Sequence, residues 1–180
     1  DAYLAQLQAA KLNDDVEVAH YAATAVAQIS KESDLKLQQL ERAFKTDPSA
    51  QNLNEYCDYL GEYLGSGLAE GHVAQIQRQQ YARLLARRCE REDTLKLRIR
   101  YATALADVGQ IDEAQAVIDQ LVLDVPEEQE VWMLCLRLAV MRRDGDEVHR
   151  VIDAIDKQHV YLSAANREEL AFWRNGEEAR

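Results

Sequence analysis

The chain has 180 residues, 47% of them hydrophobic and 29% charged, the balance of a soluble globular protein long enough to bury a core. Its formal net charge of -11 argues against the positive surface that non-specific binding to nucleic acid or anionic lipid requires. Only two prolines and seven glycines interrupt a chain rich in strong helix formers, and strand-like alternation is missing, so the predicted class is all-α.

Taken in order, residues 1–12 predict a short amphipathic helix through Tyr3, Leu4, Leu7 and Leu12. Asn13 or Asp14 should cap a second helix to about Ser30, paved by Ala19, Ala22, Ala23 and Ala27. Ser33 should cap a third, carrying Leu35, Leu37, Leu40 and Phe44 and ending at Thr46-Asp47-Pro48. The next runs from Ser49 to Leu64 and stops at Gly65-Ser66-Gly67. A long helix follows from Gly71 to about Arg91. Asp93 or Thr94 caps another, stopped by Gly109, and Ile111 to Leu123 follows, ending before Pro126. Glu127 to Arg143 ends at Gly145. Asp146 to Lys157 and Ser163 to Trp173 complete a series of nine or ten helices joined by short loops.

A fixed period runs through the second half. Residues 95–128 carry Ala102 in mid-helix, Gly109 at the turn, Ala114 early in the second helix, Ile118 four later and Pro126 at the exit. That is the skeleton of a 34-residue tetratricopeptide repeat. A shift of 34 gives 129–162, with Trp132 in the aromatic place, Val148 for Ala114 and Ile152 for Ile118. Working back, 17–50 predicts another unit, and 51–94 an irregular one with ten extra residues. Residues 163–174 predict a closing cap. The expected architecture over 1–180 is a single right-handed α-solenoid of antiparallel helix pairs.

Chemistry-bearing patterns are sparse. His149 and His159 are ten apart with no H-E-x-x-H, and Cys57, Cys89 and Cys135 never stand at metal-ligand spacing. The cysteines read as core filler in a reducing compartment. Gly65-Ser66-Gly67 with Gly71 follows no strand and precedes no Lys-Ser/Thr, so it is not a phosphate loop. Glu127-Glu128 and Glu168-Glu169 read as solvated helix charges. No catalytic, cofactor or metal residue is predicted, and no run approaches the roughly 20 apolar residues that span a bilayer.

Two surfaces remain as candidates for protein binding. Between Arg78 and Arg100, eight cations oppose three acids, a net +5 in a chain of -11. Arg78 opens this run, and Arg83, Arg87 and Arg91 recur every four residues on one helical stripe. The stripe either engages an acidic partner or is a solvated face near a helix C-terminus. The second surface is the concave wall formed by the first helix of each pair, which by phase includes Tyr21, Ala25, Met133, Arg137 and Val140, with Thr103 and Asp107 between them. Either a peptide or helix binds there, or the cap or the lead-in helix folds back and fills it. Tyr56, Tyr59, Tyr63 and Tyr81 read as packing.

Four runs carry a resemblance to a known family: Asp14-Asp15-Val16-Glu17-Val18-Ala19-His20-Tyr21-Ala22-Ala23-Thr24, Asp34-Leu35-Lys36-Leu37, Ser66-Gly67-Leu68-Ala69-Glu70-Gly71, and Gln77-Arg78-Gln79-Gln80-Tyr81-Ala82-Arg83-Leu84-Leu85. Over residues 13–174 the chain resembles the cytosolic region of the PelE family, the repeat-containing component of the bacterial Pel exopolysaccharide synthase of biofilms. The resemblance implies a scaffold on the cytoplasmic side of the inner membrane, in a parent protein with transmembrane helices upstream of Asp1. It implies as partners PelD, the cyclic-di-GMP receptor, the glycosyltransferase PelF and the transporter PelG. It gives no catalytic residues, and it directs attention to His20 and Tyr21 as contacts. The rival readings are a peptide-binding adaptor of another bacterial assembly or secretion system, and a small-molecule or nucleotide sensor.

Overall fold

A computed structural model describes residues 2–175; residue 1 and residues 176–180, the ends of the expected domain, lie outside the described residues. The described chain is all-helical, with nine helices and no strand among the described residues. They are α1 (Ala2–Ala10), α2 (Val16–Thr46), α3 (Ala50–Gly65), α4 (Gly71–Cys89), α5 (Leu95–Asp107), α6 (Ile111–Asp124), α7 (Gln129–Arg142), α8 (Gly145–Lys157) and α9 (Ala164–Asn175). The chain divides into two compact units between Leu84 and Leu85, inside α4.

In the first unit the helix pair expected within 17–50 is instead one helix. α2 runs 31 residues without a break, about 46 Å at the α-helical rise. A serine can cap a helix only where the backbone leaves helical geometry, and no Gly or Pro near Ser33 forces that. Gln28 instead donates to Glu32 one turn on, at 2.6 Å. The true cap lies upstream at Asp15, whose carboxylate accepts from the Glu17 and Val18 amides. α1 packs on α2, with Leu4 and Leu7 of α1 and Ala22 of α2 buried, and α3 also packs on α2.

The tyrosines of α3 pack as expected and add polar ties. Tyr59 donates to the Ser33 carbonyl at 3.4 Å and Tyr63 to the Asp34 carboxylate at 2.6 Å, beside the expected break in α2. Burial first, then the hydrogen bond to Asp34 and its charge, push the Tyr63 phenol up to about 12. Burial likewise lifts Tyr56 to about 12, and Phe44 packs at 6.1 Å from its ring. Ser49 caps α3 by accepting from the Asn52 amide. Beyond α3 the chain turns through Gly67 (φ 73) and Gly71 (φ 60), both left-handed.

In the second unit α5 packs on α6, α6 on α7, α7 on α8 and α8 on α9, and α5 also touches α7. Small Ala102 and Ala114, both fully buried, let α5 and α6 approach closely. Thr94 caps α5 by accepting from the Leu97 amide. Trp132 is buried and its indole donates to the Pro126 carbonyl at 2.7 Å, tying the start of α7 to the loop before it. Arg98 of α5 reaches Asp124 of α6 at 2.6 Å and holds that carboxyl below its usual range. Part of the basic run is thus spent inside the fold. Cys57 and Cys135 are buried, and burial pushes the Cys135 thiol up to about 12.

The turn after α7 departs from expectation. Gly145 does not end the helix but opens α8, because Asp144 caps α8 by accepting from the Glu147 amide at 2.9 Å. The left-handed turn therefore falls on Arg143, at φ 57. Its counterpart 34 residues earlier is Gly109, at φ 78. A Cβ costs roughly 1–2 kcal/mol in this conformation, and glycine's extra freedom when unfolded offsets part of that gain. Arg143→Gly should therefore raise stability by about 0.5–1 kcal/mol, read as a higher urea midpoint. Met141→Gly, two residues back inside α7, should lower it by about 1 kcal/mol. A lower midpoint for Arg143→Gly would contradict the left-handed turn.

Candidate functional site

The second unit carries an open groove of about 380 Å³. α5 contributes Ile99 and Thr103, α7 contributes Glu130, Met133, Leu134, Leu136, Arg137 and Val140, and α9 contributes Asn166, Glu169 and Trp173. The spacing of Met133, Arg137 and Val140 at four and three residues puts all three on one face of α7. Ile99 and Thr103, one turn apart on α5, supply the facing wall.

Hydrogen bonds fix the walls. Gln129 Oε1, at the start of α7, accepts from the Ser163 amide at 2.8 Å and from the Asn166 side chain at 3.0 Å, which pins the start of α9. Ser163 then caps α9 by accepting from the Asn166 amide. Leu170 is buried, and Arg174 binds Asp156 of α8 with both contacts at 2.5–2.6 Å. The Phe172 ring meets the Trp173 ring edge-on at 5.2 Å. Arg137 of α7 pairs with Asp107 of α5 at 2.5 Å, which ties the two helices together. Thr103 donates its hydroxyl to the Ile99 carbonyl at 2.8 Å. The surface is thus apolar over most of its area, with its central cation already neutralised.

Of the residues named from sequence, Met133 and Arg137 meet here, together with Thr103 and Val140. His20 and Tyr21 are exposed on α2 in the first unit and do not line this groove; Tyr21 is 74% exposed. Arg78, Arg83 and Arg87 are exposed on α4. Arg83 and Arg87 stand one turn apart, with Arg78 about 140° round the helix from Arg83. α4 ends at Cys89, so Arg91 falls in the turn beyond it and leaves the stripe. α5 begins at Leu95 under the Thr94 cap, so residues 90–93 lie in the connection between the two helices.

The closing helix 163–174, expected either to cap the array or to fold back and fill the concave wall, lines one side of the groove and leaves it open. One further shift of 34 aligns Ala102 and Leu136 with Leu170, and all three are 3% exposed or less. No group of three or more His, Cys, Asp or Glu that could hold a metal occurs among the described residues. No helix among them is long and apolar enough to cross a membrane. No protein-family model, curated protein or solved structure matches the chain.

Proposed function

We propose that this chain is a non-enzymatic protein–protein interaction scaffold of tetratricopeptide type, whose second unit receives a segment of a partner protein. The observation that carries the reading is the groove: an apolar floor of about 380 Å³, open to solvent, walled by α5, α7 and α9. Concave surfaces of this size with few polar groups are the usual sites of recognition.

The repeat reading draws support from burial at matching positions. Leu97 and Val131, Ala104 and Leu138, Ala114 and Val148, Ile118 and Ile152, and Leu121 and Ile155 stand 34 apart, and none is more than 6% exposed. Gly109 and Arg143, also 34 apart, share the left-handed turn. Helix pairs that repeat their buried positions in this way stack in series as a right-handed α-solenoid, with α9 beginning a third register and capping the array. The long α2 takes the place of a pair in the first half, so the repeats are those at 95–128 and 129–162.

The partners proposed are those implied by the resemblance carried by Asp14–Thr24, Asp34–Leu37, Ser66–Gly71 and Gln77–Leu85: PelD, PelF or PelG, on the cytoplasmic face of a bacterial inner membrane. Capture of each by the immobilised chain tests this. At least one should be retained, and Met133→Gln with Val140→Thr, near-isosteric changes that make the floor polar, should weaken it about tenfold or more. Retention of none removes the Pel assignment. Retention that ignores the floor variant, with helicity unchanged, removes the groove.

A further inference from the structure

We infer that the segment seated in this groove is cationic and amphipathic, presenting apolar side chains to the floor and a Lys or Arg to Glu130 and Glu169. The inference rests on the groove reading above and adds to it the chemistry of the occupant.

The floor is apolar: Ile99, Met133, Leu134, Leu136, Val140 and Trp173. Among its polar neighbours, three are already occupied within the fold. Arg137 is paired with Asp107, the Thr103 hydroxyl donates to the Ile99 carbonyl, and the Asn166 amide donates to Gln129. An occupant therefore meets no unpaired cation and gains little by offering a carboxylate.

The two remaining charged linings are carboxylates. Glu130 lies in the first turn of α7, and Glu169 one turn beyond Asn166 on α9. No ion pair holds either among the described residues. A neutral or acidic segment covering them would strip water from two charges and give nothing back. A cationic segment replaces that water with charge-assisted hydrogen bonds while its apolar residues cover the floor. The field of the whole chain, at -11, draws the same sign of partner from a distance.

The test uses a phage-displayed library of random peptides selected on the full chain, with the Met133→Gln, Val140→Thr variant for counter-selection. Peptides that need the floor should be rich in Lys or Arg beside apolar residues. Their affinity should fall about tenfold or more when Glu130→Lys and Glu169→Lys are combined, and should weaken as salt is raised. Floor-dependent peptides without a basic residue, or indifferent to the charge swap, overturn the inference and leave the groove reading standing. A selection that yields no floor-dependent peptide overturns both.

Discussion

Leu138→Ala should lower the stability of the second unit by about 3 kcal/mol, within the roughly 2–5 kcal/mol seen when a buried leucine is cut to alanine. Leu138 is fully buried in α7, within the apolar cluster that also holds Leu105, Ile118, Leu136 and Ile152. Removing its branched end forfeits both the transfer of that surface from water and the contacts of the neighbours left facing a void. The neighbours close such a void only in part, because interiors are packed near crystal density. Leu123→Ala is the matched control. That leucine is 76% exposed on α6, and its loss should change stability by no more than about 0.5 kcal/mol. Urea unfolding followed by far-ultraviolet circular dichroism reads both. A Leu138→Ala midpoint as close to wild type as that of Leu123→Ala would mean that α7 does not sit in this core.

The second half of the fold was legible in the sequence because its punctuation is chemical. Thr94, Gly109 and Pro126 each do one job that few residues can do, and the structure uses each where it stands: a cap, a left-handed turn and a helix exit. Ser33 misled because a serine is compatible with a cap without requiring one. The continuity of α2 comes from the absence of any breaker and from packing of α3 beside it, and the second of these is tertiary information. Arg143 was illegible for a related reason. The demand of the Asp144 cap moved the left-handed turn off the nearby glycine and onto an arginine, which no propensity scale would choose.

The candidate site was half legible. Helical phase alone put Met133, Arg137 and Val140 on one face, since a four-and-three spacing leaves little choice. The partner wall on α9 depends on a contact across 34 residues, Gln129 to Ser163, that phase within one helix does not contain. Charge was the poorest guide. Counting cations from Arg78 to Arg100 could not reveal that Arg98 is held by Asp124, nor that α4 stops two residues short of Arg91.

Gly61→Leu should cost the first unit about 2 kcal/mol, and its companion variant locates the cause. Gly61 sits inside α3, where a glycine is about 1 kcal/mol worse than alanine, so its presence needs a reason. The reason is proximity: a Cβ at Gly61 would stand 2.7 Å from the Tyr81 hydroxyl oxygen and 3.0–3.1 Å from two ring carbons. Tyr81 lies on α4, whose Gln77 and Gln80 act on the Tyr63 and Tyr56 phenols and hold them lower than burial alone would. α3 and α4 therefore meet with backbone against ring. A leucine would force the Tyr81 ring aside and loosen that contact, and overpacking of this kind costs roughly 1–3 kcal/mol. Gly61→Ala sets a gain of about 1 kcal/mol in helix propensity against a smaller displacement of the same ring, and should come out near zero. Joining Gly61→Leu to Tyr81→Ala should return much of the loss, because the cavity opened by one change receives the bulk added by the other. Additive losses in that double variant, measured by urea midpoint, would show that Tyr81 is not what Gly61 makes room for.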